Sequence, residues 1–99
     1  MYARVGQAKV KAGKLDEFVE CFKAEVVPQH KQRQGAKGIT VLTDPASNSV
    51  FLISFWATEA DARAVAQNPP PLHSQAGGVG ELLEAPPVVQ LLWVPINEA

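Results

Sequence analysis

The chain holds a single cysteine among 99 residues, so no disulfide can close within it. Cys21 sits beside Phe22 in a helical pattern, where a half-buried or buried thiol is expected rather than a nucleophile. Charge of either sign is not in excess. Nine Lys and Arg against ten Asp and Glu leave a net charge of −1, and the cations are scattered. That excludes the footprint of a nucleic-acid binder and a polybasic membrane patch. Apolar runs never approach the roughly 18 residues of a membrane span, and the N-terminus lacks the charged-then-apolar pattern of a secretion signal. The expected compartment is cytoplasmic. The soft ligands His30, His73 and Cys21 have none of the short spacings that zinc or iron sites use, so no metal is expected. The Gly77-Gly-Val-Gly80 cluster is followed by no Lys-Ser or Lys-Thr pair and reads as loop punctuation.

What is present is enough apolar side chain, 46% of residues, for one folded domain spanning residues 1–99. The stretch from Ser49 to Thr58 dominates. With a period of two, Phe51, Ile53 and Phe55 point one way, and Val50, Leu52, Ser54 and Trp56 the other. Both faces of this strand want cover. Residues 2–11 read as a first strand, weakened by Gly6, which marks either a bulge or a close approach to the backbone. Leu15, Phe18, Val19, Phe22 and Val26 then form one helical stripe. Pro28 kinks or ends that helix. His30, Lys31 and Arg33 suit a further turn that Gly35 stops. Residues 37–44 make a second strand, joined to the third by an Asp-Pro-Ala-Ser-Asn-Ser turn. Thr58 is the expected N-cap of an alanine-rich helix, ended by Asn68 and the three prolines after it. Residues 72–84 form a glycine-containing connection with one short helical turn, and Val88 to Ile96 the last strand.

The order β-α-β-β-α-β predicts an α+β, ferredoxin-like fold: a four-stranded antiparallel sheet with both helices on one face. The other face keeps several large apolar side chains. Each contributes roughly 1.5–3 kcal/mol when fully buried, so four or five would offset much of the ~4–15 kcal/mol cost of association. A homodimer through the open face of the sheet is expected. An RNA-recognition module on this plan needs a basic third strand, and residues 48–56 carry no Lys or Arg.

Trp56 is either a core aromatic or one wall of a planar-ligand pocket, with its indole N–H as a donor. His73, just beyond the triple proline, is a usable acid or base at an ordinary pKa near 6.5. Arg4 and Gln7 are the polar candidates on the first strand.

The run Phe55-Trp56-Ala-Thr58-Glu59-Ala60-Asp61-Ala62, after a Gly38-containing strand and a short hairpin, resembles the antibiotic biosynthesis monooxygenase family of dimeric α+β barrels. The likeness runs from Tyr2 to about Ile96. It implies an enclosed cavity between sheet and helices in each protomer, with Arg4, Gly6, Phe22, Trp56 and Leu72 as substrate-binding residues. It further implies a cofactor-independent monooxygenase acting on a phenolic or quinol-like small aromatic molecule. In such enzymes the substrate's own carbanion or phenolate reduces dioxygen, and the protein supplies a dry cavity, orientation and a proton acceptor. Trp56 matches the family's cavity tryptophan, and Trp56 and His73 are the expected catalytic residues. A haem-degrading branch uses an Asn on the first strand, a Trp ending the third and a His beyond it. Here Gly6 falls at the first position, with Gln7 on the opposite face, so no haem or other cofactor is expected. A non-catalytic small-molecule-binding protein of the same fold is the alternative.

Overall fold

β-branched and aromatic side chains at period two build the sheet of this computed structural model, which describes residues 1–67 and 79–98. β1 (Tyr2–Lys9) and β3 (Ser49–Trp56) occupy the centre, flanked by β2 (Ala36–Asp44) and β4 (Val88–Trp93), in the order β2-β3-β1-β4. Every pairing is antiparallel. β1 and β2 are separated by β3, the helices after β1 and after β3 pack on the same sheet face, against Leu52 and Trp56, and the ferredoxin-like α+β plan read from the sequence is the one observed. Opposed residues share a face: Arg4 lies level with Ser54 and Leu91, and Gly6 with Leu52 and Val89. No bulge occurs at Gly6. The register shift lies instead between Ala36 and Gly38 in β2. Gln7 therefore stays on the open face, exposed to solvent.

Between β1 and β2 the helical stripe continues through the proline. α1 (Leu15–Cys21) runs into a π turn (Phe22–Val26) and then α2 (Val27–Gln32). Proline has no N–H to give and its ring crowds the carbonyl four residues back, so a regular ladder at Pro28 would be strained. The wider turn just before it opens the ladder, with the Val27 N–H reaching the Phe22 carbonyl five residues back. Val27 keeps helical angles despite preceding proline. The helix is not ended at Pro28, and its buried stripe reaches His30. Gly35, at φ +78°, then turns the chain into β2.

α3 (Glu59–Gln67) starts where the sequence indicates: the Asp61 N–H donates to Thr58 Oγ1 at 3.1 Å. A 3₁₀ turn (Val79–Leu82) is tied to the end of β1, Lys11 N–H donating to the Leu82 carbonyl at 2.8 Å. Two buried clusters hold the helices on the sheet. One contains Phe18, Phe22, Val26, Val50, Leu52 and Leu83; the other Trp56, Ala62 and Val65. Cys21 packs half-buried against the first. On the opposite face Leu42 and Leu92 stand about half exposed and Val88 70% exposed, beside half-buried Phe51, Ile53 and Phe55. Among the described residues no helix is long and apolar enough to cross a membrane.

Candidate functional site

The two apolar clusters do not meet everywhere. Between them, against the helix-covered face of the sheet, lies a partly open cavity with a water-accessible volume of about 50 Å³. Phe22, Val26 and Leu52 supply one apolar wall and Trp56 with Val65 the other. Gly6 forms floor: a Cβ there would meet only ordinary contacts at 3.7 Å, from Leu52 and Pro87. The polar side chains come from three elements: Arg4 on β1, Ser54 on β3, and Gln29, His30 and Arg33 at the end of α2.

Trp56 is 2% exposed, and its indole N–H donates to Ser54 Oγ at 2.9 Å. The N–H expected for a ligand is thus used within the strand. What faces the cavity is the ring, together with the Ser54 hydroxyl, whose own proton remains to be donated. His30 stands against Trp56 edge-to-face, ring centroids 4.9 Å apart at 77°. The imidazole is 6% exposed. It hydrogen-bonds the Gly38 backbone in the irregular part of β2, and because that bond favours the charged imidazole, the Gly38 group is the accepting carbonyl. Among the described residues Nε2 has no hydrogen-bond partner. With Nε2 unpartnered, the Gly38 contact falls to Nδ1, and the neutral tautomer that suits it carries its proton there and a lone pair on Nε2. Desolvation, aided by the nearby Arg33 charge, outweighs the Gly38 bond and holds the pKa below its ordinary value.

Arg4 is half-buried, and burial and then Arg33 lower its pKa as well. The backbone of Arg33 is extended where α2 stops (φ −80°, ψ 145°), and its side chain lines the cavity. Among the described lining residues there is no Asp or Glu. Nor, among the described residues, does any group of His, Cys, Asp and Glu stand close enough to hold a metal ion.

Of the residues singled out from sequence, Arg4, Gly6, Phe22 and Trp56 are brought to this one cavity. His73 and Leu72 lie outside the described residues. His30, Arg33 and Ser54 were missed. The period of β3 already placed Ser54 on the Trp56 face, and the stripe Phe22–Val26 continued by four residues reaches His30. With a kink and an end both open at Pro28, the sequence assigned His30 to a further turn but not to the buried stripe.

Residues 1–76 match the model of the family described as antibiotic biosynthesis monooxygenase. The chain belongs to that family. No curated protein matches the sequence. Among solved structures this family member is similar to a candidate antibiotic biosynthesis monooxygenase from Bordetella bronchiseptica (TM-score 0.80, 16% identity, covering 96% of this chain and 97% of that one). It is also similar to a haem-degrader of Mycobacterium tuberculosis with two haems bound in its active site (TM-score 0.77, 15% identity, all of both chains). A third, a Nitrosomonas europaea protein of unknown function, gives a TM-score of 0.77 at 16% identity over 99% of this chain and 92% of that one. At such identities these likenesses establish the fold the family member shares with them, and no more.

Proposed function

We propose that this protein is a cofactor-independent monooxygenase that oxidises a phenolic or quinol-like aromatic molecule in the cavity beside Trp56. The observation that carries the reading is His30: a buried, neutral imidazole with an unpartnered Nε2, held against the tryptophan ring at the cavity. A buried acceptor without a partner costs about 1–3 kcal/mol, which a substrate hydroxyl would recover. Nε2 takes the phenol proton, and the resulting phenolate, electron-rich and desolvated, gives one electron to dioxygen. Recombination of the radical pair forms a carbon–oxygen bond, and loss of water from the hydroperoxide leaves the quinone. In sum, one ArOH with a ring C–H and one O₂ give one quinone and one H₂O. Ser54 and Trp56 position the ring. His73 remains the other candidate proton acceptor. The protein works as a homodimer through the open sheet face, inside the cytoplasm. A haem substrate fits poorly, because Gly6 offers no polar side chain and Gln7 points to the opposite face.

Oxygen consumption with anthrone-like and hydroquinone compounds, no cofactor added, tests this. Removing a general base lowers rates by about 10²–10⁴-fold, and His30→Gln is expected to fall in that range while Trp56→Phe loses most turnover with the fold intact. His73→Ala is measured beside them. Loss there with His30→Gln unaffected would move the base to His73. If the folded protein consumes oxygen with none of the compounds, the oxygenase reading fails and a binding protein takes its place.

A further inference from the structure

Arg4 is a cation in a place that does not suit one. It sits on a central strand, half-buried at an apolar cavity, and no carboxylate pairs with it among the described residues. The charge that acts on it is Arg33, of the same sign. The chain has ten acidic residues and is slightly negative overall, yet no Asp or Glu is found among the described residues around the cavity. Burying a cation unpaired is unfavourable, and setting a second beside it more so. The surrounding sheet holds the arrangement in place: Arg4 is fixed by pairing with Ser54 and Leu91 on either side, and Arg33 by the end of α2. The Arg4 cation is therefore in place before any ligand arrives.

We propose that the ligand of this cavity is an aromatic carboxylate, a hydroxyaryl acid whose carboxylate is held by the Arg4 guanidinium. The assignment rests on the reading that an aromatic molecule occupies the cavity, and it names that molecule's class. The planar guanidinium fork matches a carboxylate in two parallel hydrogen bonds. Trp56, Phe22 and Leu52 offer the apolar surface that the ring requires. The acid replaces the missing counter-ion, so the electrostatic cost in the empty protein turns into selectivity in the complex. Ser54 Oγ–H is a neighbouring donor on the same face, level with Arg4.

Calorimetric titration under nitrogen, where no turnover interferes, compares 1-naphthol, 1-hydroxy-2-naphthoate and 1-naphthyl phosphate. Expected is binding of the hydroxynaphthoate at least about tenfold tighter than naphthol, as for a charge-assisted hydrogen bond worth one decade or more. Arg4→Gln should abolish that preference, Arg4→Lys should keep part of it, and the melting temperature of ligand-free Arg4→Gln should be equal to or above that of the parent. A merely structural arginine would lower it. Equal affinity of the parent protein for naphthol and the acid overturns the proposal whether or not the variants fold. So does an unchanged preference in Arg4→Gln, or tighter binding of the phosphate than of the carboxylate. Oxygen uptake separates the two readings: acid preference without uptake removes the oxygenase and keeps the anion site, whereas uptake with naphthol and no acid preference does the reverse.

Discussion

At the scale of single residues the site depends on groups kept in unfavourable states. His30 is buried, and desolvation holds its pKa below the ordinary 6.5, which favours the neutral imidazole. In the unfolded chain the same imidazole binds a proton as pH falls through 6.5, while the folded one resists. Below that pH the unfolded state holds more protons, so acid shifts the equilibrium toward unfolding. The contribution of His30 to stability is present above pH 6.5 and is lost as pH falls from 6.5 toward the folded value. Urea midpoints between pH 7.5 and about 5, above the range where carboxylates titrate, should decline in the parent and decline less in His30→Gln. Parallel curves for the two proteins would mean that His30 is not held neutral.

At the scale of elements, the junction from α2 to β2 delivers two of the cavity's polar groups. It stops the helix at Arg33 in extended geometry, turns at Gly35 and shifts register between Ala36 and Gly38, which lies within reach of His30. Gly35 has φ +78°, and a Cβ there would collide with the Asp61 side chain, its own Cβ 2.8 Å away. The Gly35 carbonyl also accepts from Ala57 N–H at 2.8 Å, tying the turn to the entrance of α3. A left-handed backbone costs a side-chain-bearing residue roughly 1–2 kcal/mol before any contact is counted. Gly35→Ala is expected to lower stability by about 2 kcal/mol or more in chemical denaturation. A loss below about 0.5 kcal/mol would show that the turn relaxes freely. The π turn before Pro28 acts at the same scale. It lets one helix bury Phe22, Val26 and His30 on a single face across a proline.

At the scale of the whole molecule, the sheet divides the chain's apolar surface into a face covered by its own helices and a face left open. Phe51, Ile53 and Phe55 on that open face are half-buried, beside Leu42 and Leu92, which are about half exposed. The proposed homodimer covers them. Phe51→Glu puts a charge in the middle of that face and should convert a dimer into a monomer in sedimentation analysis, with its circular dichroism unchanged. A parent protein that sediments as a monomer at tens of micromolar would remove the dimer from the account.

The sequence by itself determined the elements, their order and the two faces of each strand. Those features follow from periodicity, caps and turn residues, all of which act over a few positions, as at Trp56 with Ser54 and Thr58 with Asp61. It also carried Arg4, Gly6, Phe22 and Trp56 as cavity residues, through a family pattern spread along most of the chain. Local rules left kink and end undecided at Pro28, where a widened helical turn carried the helix on, and fell short at the indole N–H, which found its acceptor two residues back. The tertiary structure alone decided that His30 would stand against Trp56 and that Arg4 and Arg33 would share one cavity. Those partners are 26 and 29 positions apart, and their meeting depends on how α2 ends, where β2 slips register and how the helices cross the sheet. Short-range preferences set which face a side chain occupies; long-range packing sets what it meets there.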